Sequence, residues 1–479
     1  MTTSGPSVAT MKLERSGQGA APSVAPVLAR LRQHFDEGLT RPLSWRKAQL
    51  RQMQRLLHEG EDRLLAALAA DLGKPGLEAW VTDLVVVDDA VDDLLGRLDR
   101  FVRPERVKVP LKLRPAHAWV VPEPLGVALV IAPWNYPVQL LLLPMACAIA
   151  AGNAVIGKPS ELAPHTSAQL AGLVPEYLDE RAVAIVEGGV PETTALLAER
   201  FDHILYTGNG RVGRVVMEAA AKHLTPVTLE LGGKSPAIVD READIEVAAR
   251  RIVWGKFVNA GQTCVAPDYV LVHDAVEDRL IDAMVSALSS FYGDDPHASP
   301  DYGRIVNSAH FNRLVSLLGD VAAEQIVTGG RTDAAERYMA PTIVRGVSPS
   351  DRLMGEEIFG PILPVLGVAD VEAAIRQVRA GPKPLALYVF ASDRAVADRV
   401  LDQTSSGGAC INATLMHEGV PALPFGGVGD SGMGAYHGQA GLEAFSHRKA
   451  VFSRPTRPDP AVSYPPYTWL KRKILRAVM

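Results

Sequence analysis

The stretch Val127-Ala128-Leu129-Val130-Ile131-Ala132-Pro133-Trp134-Asn135-Tyr136-Pro137 determines how the chain folds. Its first five residues are all apolar, which is typical of a strand buried on both faces of a parallel sheet. The prolines that follow cannot continue such a strand, so residues 132–137 are predicted to form a loop at its carboxyl end. Loops at that edge of a parallel sheet carry the ligand-binding groups of α/β proteins.

Similar apolar runs recur on either side of this stretch and alternate with helical patterns. A second buried strand is predicted at 154–157, and a helix at 212–223. Further strand-like runs lie at 184–186, 203–206, 225–229, 237–239, 269–272 and 385–390, and further helical patterns at 24–35, 45–57 and 275–291. This alternation predicts an α/β fold with two doubly wound lobes that meet near residues 231–233.

The composition of the 479-residue chain is that of an ordinary globular protein, with 47% hydrophobic and 22% charged residues. The formal net charge of −5 gives no reason to expect nucleic acid or an anionic membrane as a partner. The three widely separated cysteines argue against a disulfide scaffold or a metal motif and predict a reduced, cytoplasmic location. Residues 1–23 are expected to form a flexible tail, not a signal peptide, and no apolar run reaches the length of a membrane span.

Three residues stand in local patterns that suit catalysis. Cys264 ends Gly261-Gln262-Thr263-Cys264, where the glycine permits a tight turn and small neighbours leave the sulfur accessible. By its local pattern alone such a cysteine is more often structural than nucleophilic. Glu230, at a predicted strand end, fits either a buried general base or a solvated edge glutamate. Asn135 could donate a hydrogen bond to an oxyanion or only shape a turn.

The segment Gly208-Asn209-Gly210-Arg211-Val212-Gly213 has the spacing of a dinucleotide-binding loop between a strand and a helix. Glu230 follows it by roughly twenty residues, so a conventional Rossmann interpretation would make Glu230 a ribose ligand.

Four segments, in this order, resemble an aldehyde dehydrogenase. They are Pro133-Trp134-Asn135-Tyr136-Pro137, Glu230-Leu231-Gly232-Gly233-Lys234, Gly261-Gln262-Thr263-Cys264 and Glu357-Ile358-Phe359-Gly360-Pro361. Residues 424–434 and 445–449 resemble the class 3-like and coniferyl-aldehyde-dehydrogenase-like branch, and the resemblance extends from about residue 24 to about 467. It implies that Cys264 is the nucleophile, Glu230 the general base and Asn135 the oxyanion donor, and it replaces the Rossmann assignment of Glu230.

The same resemblance implies a set of residues that bind NAD. They are Trp134, Lys158, Glu161, Gly208, Gly213, Leu231, Gly232, Glu357 and Phe359. Lys158, Glu161 and Glu357 would contact riboses, Phe359 would pack on the nicotinamide riboside, and Gly210 is an extra glycine relative to the family's pair. A carboxylate at Glu161 would repel a 2′-phosphate, so NAD is preferred, with NADP as the alternative because members of this branch often use both.

The implied architecture is an aldehyde dehydrogenase-like α/β fold with two doubly wound lobes and a small β oligomerisation extension. The implied segments are 24–106 and 125–230 for the dinucleotide-binding domain, 231–430 for the catalytic domain, 107–124 and 431–467 for oligomerisation and bridging, and 468–479 for a basic amphipathic tail. A homodimer is expected, in which the hairpin at about 107–124 meets the segment near Val451 of the partner subunit.

The leading functional hypothesis is NAD(P)-dependent oxidation of an aldehyde to its carboxylic acid, through a thiohemiacetal and a thioester on Cys264. The alternatives are a coenzyme A-acylating enzyme, whose relatives typically lack a base at the position of Glu230, a cysteine hydrolase, and a non-catalytic protein that retains the fold. Medium- or long-chain aliphatic or aromatic aldehydes are expected as substrates, with Tyr136, Leu140 and Met416 as candidates for the substrate tunnel. The tail at 468–479 lacks the hydrophobic anchor of some class 3 relatives, so any membrane contact is expected to be peripheral.

Overall fold

Two parallel sheets covered by helices organise the protein, together with a smaller antiparallel sheet. The computed structural model describes residues 24–478, so the tail predicted at 1–23 lies outside the described residues. The α-helices, numbered α1 to α17 in chain order, are Ala25–Asp36, Leu43–Glu59, Glu61–Leu72, Gly76–Ala79, Val86–Phe101, Gln139–Ala151, Pro164–Tyr177, Val190–Ala198, Gly210–Ala221, Ile245–Phe257, Glu277–Tyr292, Ser308–Leu318, Arg352–Gly355, Val371–Ala380, Arg394–Gln403, Gly438–Ala444 and Trp469–Val478. A π-helical segment, Trp80–Val85, joins α4 to α5.

The strands, numbered β1 to β18, are Glu105–Val107, His117–Pro124, Val127–Ile131, Ala154–Lys158, Val183–Ile185, His203–Gly208, Val227–Leu231, Pro236–Val239, Tyr269–His273, Ile326–Thr328, Thr332–Asp333, Tyr338–Met339, Thr342–Val344, Ile362–Val368, Ala386–Phe390, Gly408–Ile411, Gly432–Met433 and Ser446–Ser453. The strands and helices that the sequence predicts are present, with ends that differ by a few residues, as is usual for pattern-based boundaries.

The six-stranded sheet has the order β17-β7-β6-β3-β4-β5. Its five strands from β3 to β7 are parallel, and only β17, at the edge, is antiparallel. The chain runs outward from β3 through β4 and β5, then returns to the other side of β3 with β6 and β7. This reversal between β3 and β6 opens a crevice at their carboxyl ends, which is where doubly wound sheets bind ligands.

The seven-stranded sheet has the order β10-β13-β14-β9-β8-β15-β16 and is parallel except for β10. The chain leaves the first sheet at Leu231 and enters the second at Pro236. The fold is therefore α/β with two doubly wound lobes, as predicted. The functional division of residues 24–230 from 231–430 stays a prediction.

Helix α6 follows the loop after β3 and is buried along its whole length. The apolar run that forms it can be buried on every side because helices α2, α5 and α16 and strands β3 and β4 surround it. Cys147 lies within this helix, and a Cβ added at Gly441 would come 2.5 Å from its sulfur. The expectation that Cys147 serves only for packing agrees with this environment.

Polar side chains fix where several helices begin. The side chains of Asn209, Asp244, Asn307, Asp370 and Asp393 accept backbone N–H groups at the starts of α9, α10, α12, α14 and α15. Each of these caps satisfies a donor that the first turn leaves unpaired. The start of α9 matters most for function, because it lies directly after β6 at the crevice of the first sheet.

The smaller sheet has the order β1-β2-β18, and all its pairs are antiparallel. Strand β2 pairs with β18 from His117 opposite Ser453 to Pro124 opposite Ser446. Val451 therefore lies opposite Trp119 of its own chain. A contact between this segment and the hairpin of a partner subunit stays a prediction. Gly432–Met433, at the start of the segment predicted for oligomerisation and bridging, joins the edge of the six-stranded sheet beside Glu230. In residues 24–478, no helix combines the length and the apolar character that crossing a bilayer requires.

Candidate active site

The loop after β3 carries Asn135, whose side chain is buried. Its Nδ2 donates a hydrogen bond to the backbone carbonyl oxygen of Gln262 at 3.0 Å. The backbone carbonyl oxygen of Asn135 accepts one from Asn259 Nδ2 at 2.8 Å. A hydrogen bond of 2.5 Å also joins Tyr136 Oη to Thr263 Oγ1. These bonds hold the loop of the first lobe directly against the segment that ends in Cys264.

The segment before Cys264 has an unusual backbone. Asn259 and Ala260 both have φ of 51°, a left-handed conformation that non-glycine residues adopt at a cost. Gly261 follows with φ of 77°, and a Cβ there would lie 2.3 Å from the carbonyl oxygen of Gly360. The glycine is therefore required by its conformation and by the close approach of the loop that carries Phe359.

Cys264 is partly accessible and forms no disulfide. Burial raises the pKa of its thiol well above the usual range, and the negative charges of Glu418, Glu357 and Glu230 raise it further. Both influences favour the neutral thiol of Cys264 over the thiolate.

Glu230 lies in β7 between Thr207 of β6 and Gly432 of β17. Its carboxylate is buried, and neither oxygen has a hydrogen-bond partner in the described part of the chain. Burial raises the pKa of Glu230 well above its usual range, and the nearby N–H of Gly427 offsets only part of the rise. This confirms the expectation of a buried carboxyl with a raised pKa and excludes the solvated edge glutamate.

A cavity of about 710 Å³ runs from Cys264, Asn135 and Glu230 to the crevice between β3 and β6. Lys158 and Glu161 line it after β4, with Lys158 Nζ 3.0 Å from Glu161 Oε2. The candidate catalytic residues therefore share one cavity with the residues predicted to bind the cofactor, except Gly213, which does not line it. A larger cavity of about 1370 Å³ lies between β1 and β2 at residues 104–119, remote in sequence from all of these residues.

Close packing explains why glycine stands at the end of β6, at Gly208, and in α9, at Gly213. A Cβ on Gly213 would lie 2.9 Å from Leu231 Cδ2, so this glycine allows α9 to approach β7. A Cβ on Gly208 would lie 2.3 Å from the hydroxyl of Tyr206. At Gly210 the nearest atom would be 3.4 Å away, on the flexible side chain of Arg214, so the extra glycine is not required by packing.

The loop with Glu357 and Phe359 closes the cavity from the second lobe. A Cβ on Gly232 would lie 2.0 Å from Glu357 Oε2, so a larger residue here would displace this carboxylate. Burial and Asp268 raise the pKa of Glu357 to about 8, against the N–H of Gly233 and two nearby lysines. Phe359 has φ of 49°, and its ring meets Trp134 edge-on with a centroid distance of 5.4 Å.

An ion pair that sequence reasoning missed holds this loop in place. Lys234 Nζ lies 2.5 Å from Asp268 Oδ2 and donates to the carbonyl oxygens of Leu353 at 2.8 Å and Glu356 at 3.0 Å. Asp268 also accepts the N–H of Ile358 at 3.1 Å. Lys234 is the last residue of the Glu-Leu-Gly-Gly-Lys segment that resembles the family, and this position could have marked it as a functional residue in the sequence.

His310 and Arg313 of α12 also line the cavity and were missed. The His310 ring lies 5.0 Å from that of Trp134, and Arg313 donates to the carbonyl oxygen of Glu357 at 3.3 Å. Both lie on a helix that carries no distinctive motif, so no local signal marked them.

The aldehyde dehydrogenase family model matches residues 12–451. The chain belongs to this family. A mouse relative, aldehyde dehydrogenase family 3 member A2, is 49% identical over 454 residues and covers 93% of each chain. The rat dimeric NADP-preferring aldehyde dehydrogenase is 46% identical over 446 residues, or 93% of this chain and 98% of the relative.

Solved structures agree with this family membership. The substrate-bound AldH of Staphylococcus aureus has a TM-score of 0.91 at 44% identity and covers 94% of this chain and 98% of its own. Indole-3-acetaldehyde dehydrogenase with NAD+ has a TM-score of 0.81 at 26% identity, over 90% of this chain and 88% of its own. The protein is an NAD(P)-dependent aldehyde dehydrogenase of class 3-like type.

The cavity of this aldehyde dehydrogenase fits a nicotinamide cofactor. Lys158 and Glu161 offer a cation and a carboxylate at one end, and the start of α9 offers backbone N–H groups to phosphate. Trp134 and Phe359 supply aromatic surface close to Cys264. In the part of the chain described, no cluster of three or more His, Cys, Asp or Glu side chains is placed to hold a metal ion.

Proposed function

We propose that the aldehyde dehydrogenase reaction of this chain uses Cys264 as the nucleophile, Asn135 as the oxyanion donor and Glu230 as the hydrolytic base. The observation that carries this assignment is the single cavity in which a thiol, a buried carboxyl without hydrogen bonds and a fixed amide come together.

In the first step, the Cys264 sulfur forms a bond to the carbonyl carbon as its proton passes to a cavity carboxylate, Glu230 or Glu357. The side-chain amide of Asn135 has two N–H groups, and only one is needed to hold the carbonyl oxygen of Gln262. The other is free to donate to the oxyanion as the carbon becomes tetrahedral. When bound, the nicotinamide cofactor supplies the acceptor for the hydride that leaves this carbon, and Cys264 is left as a thioester.

In the second step, water opens the thioester to the carboxylic acid. Glu230 takes a proton from this water, and its raised pKa suits that task near neutral pH. A buried carboxylate without hydrogen bonds is a stronger base than a solvated one, because water does not stabilise its charge. This base favours hydrolysis over the alternative, transfer of the acyl group to coenzyme A.

The reaction is tested by following formation of the reduced cofactor with straight-chain and aromatic aldehydes, with NAD and with NADP. Cys264→Ala is expected to abolish turnover, whereas the matched variant Cys147→Ala, which changes a cysteine packed in α6, is expected to retain it. Turnover that survives in Cys264→Ala would overturn the assignment of the nucleophile. Turnover that requires coenzyme A would favour the acylating alternative.

We also propose that NAD is the preferred cofactor, with Lys158, Glu161 and Glu357 at its riboses and Phe359 beside its nicotinamide riboside. The charge of Glu161 supports this preference, because a 2′-phosphate close to it would be repelled. The side chain of Glu161 is 44% exposed, however, so solvent weakens the repulsion and NADP can still bind.

A homodimer with a cytoplasmic location completes the proposal. Exposed apolar side chains on the smaller sheet and its hairpin support the dimer: Val107, Leu111, Leu113 and Phe452. The rat relative is named as dimeric. The three cysteines are free thiols, which supports a reducing compartment. A monomeric mass in analytical ultracentrifugation at micromolar concentration would contradict the dimer.

A further inference from the structure

Of the three carboxylates whose charge acts on Cys264, Glu418 is the one that the proposed reaction does not use. It lies in the loop between β16 and β17, and its side chain is half-buried. Its Oε1 accepts a hydrogen bond of 2.8 Å from Nε2 of Gln139, the first residue of α6. The next residue of that helix, Leu140, lines the catalytic cavity. Glu418 is thus attached to the wall of the cavity.

The charge of Glu418 reaches the reacting sulfur. Of the three carboxylates whose repulsion raises the pKa of Cys264, Glu418 contributes the most, ahead of Glu357 and Glu230. The other two already have proposed partners, a cofactor ribose and the hydrolytic water. Glu418 has no proposed partner in the reaction. It also does not fix the segment that ends in Cys264, which is held by the hydrogen bonds of Asn135, Asn259 and Thr263.

No cation in the described structure neutralises Glu418 by direct pairing. Its hydrogen-bond donor, Gln139, is an uncharged amide. The lysine that acts on it electrostatically is Lys74, and the ammonium group of Lys74 lies 2.6 Å from the fully buried carboxylate of Asp83. The carboxylate of Glu418 therefore keeps unused hydrogen-bond acceptor capacity for a ligand.

The loop that carries Glu418 has exposed apolar side chains, whereas the Glu418 carboxyl itself is desolvated by burial, which raises its pKa. Met416, Val420 and Leu423 of the same loop are exposed by 57%, 42% and 45%. This loop reaches the wall of the catalytic cavity through the bond of Glu418 to Gln139, whose neighbour Leu140 lines the cavity. A buried carboxylate among apolar side chains discriminates strongly between substrates of different charge, because low local polarity strengthens its interaction with a charged group.

We infer that Glu418 is a specificity-determining residue that favours aldehydes with a cationic or hydrogen-bond-donating group at the far end and disfavours aldehydes with a second anionic group. The inference rests on the proposed function of Cys264 and adds a substrate class to it. Glu418 takes no part in bond making. It acts on kcat/KM by attracting or repelling the far end of the substrate as the carbonyl reaches the sulfur.

The test compares kcat/KM for three rigid aldehydes of similar size in the full-length enzyme. They are para-carboxybenzaldehyde, its neutral methyl ester and para-trimethylammoniobenzaldehyde. Each aldehyde is compared with itself across protein variants, so the effect of its substituent on carbonyl reactivity cancels. The variants are Glu418→Gln, which removes the charge, Glu418→Asp, which retains it, and the control Glu246→Gln, an exposed residue on α10.

Glu418→Gln is expected to raise kcat/KM for the anionic aldehyde about tenfold and to lower it for the cationic aldehyde by a similar factor, with the ester changed less than about twofold. Glu418→Asp and Glu246→Gln are expected to keep the wild-type preference. Equal preference in wild type and Glu418→Gln would overturn the inference.

Two further results keep the test decisive. If Glu418→Gln fails to fold, Glu418→Ala is measured with the same three aldehydes, and a preference that equals that of wild type overturns the inference. Failure of the proposed function looks different, because Cys264→Ala would then remain active with all three aldehydes.

Discussion

Replacing Glu230 with glutamine should separate the two halves of the reaction. The amide keeps the size of the carboxyl but cannot take a proton from water, so loss of the base is expected to slow thioester hydrolysis about 10²- to 10⁴-fold. This corresponds to about 2.7 to 5.4 kcal/mol in the activation barrier. Neither oxygen of Glu230 makes a hydrogen bond that the substitution would break.

The same geometry predicts that Glu230→Gln does not destabilise the fold. The pKa of Glu230 is raised by folding, so its ionisation favours the unfolded chain once the pH exceeds the ordinary carboxyl pKa. The stability that the protein has at low pH is lost as the pH rises from the ordinary carboxyl pKa toward the raised pKa of Glu230 in the folded protein. At neutral pH the glutamine variant should therefore resist urea at least as well as wild type, although it loses most of its activity.

The assay is stopped-flow fluorescence of the reduced cofactor after mixing with excess aldehyde. Wild-type turnover should rise with pH through the raised pKa of Glu230, because the base works only when deprotonated. Glu230→Gln should release about one equivalent of reduced cofactor per subunit in a burst and then turn over slowly, with no such rise. A variant whose kcat stays within about threefold of wild type would refute the assignment and direct attention to Glu357, whose pKa is about 8.

Three further predictions address stability, cofactor choice and the tail. Lys74→Met should lower the free energy of unfolding by about 3–5 kcal/mol, because it leaves the fully buried Asp83 unpaired. The urea midpoint measures this, and Lys47→Met, which breaks an exposed ion pair, should cost less than about 1 kcal/mol; equal costs would contradict the reasoning. Glu161→Gln should raise the ratio of kcat/KM for NADP over NAD about fivefold, from roughly 1 kcal/mol of lost repulsion, and an unchanged ratio would exclude Glu161 from cofactor choice. Any co-sedimentation of the protein with anionic vesicles should fall on removal of residues 468–479, because α17 exposes apolar side chains beside basic ones, and unchanged sedimentation would exclude the tail as a membrane contact.

The sequence predicts the local parts of the site well. The apolar run of β3, the loop with Asn135 and the glycines after β6 each produce the element expected, because short-range sterics and burial determine them. The raised pKa of Glu230 also follows from its place in a buried strand.

The contacts between distant segments were not predictable in this way. The ion pair of Lys234 with Asp268, and the bond of Glu418 to Gln139, join residues that no periodic pattern relates. The pairing of β18 with β2 of the same chain was likewise missed. An edge strand can pair within or between subunits with the same backbone hydrogen bonds, so sequence alone does not distinguish the two.

The pairing of β17 with β7 also constrains how the protein is made. Glu230 lies opposite Gly432, and the N–H of Leu231 donates to the carbonyl oxygen of Ser431 at 3.0 Å. Ser431 and Gly432 follow Cys264 in the chain, so they leave the ribosome long after the cysteine has emerged. The nascent chain therefore exposes the thiol of Cys264 before β7 has this neighbour, and the edge of the sheet beside Glu230 is complete only after β17 has been synthesised.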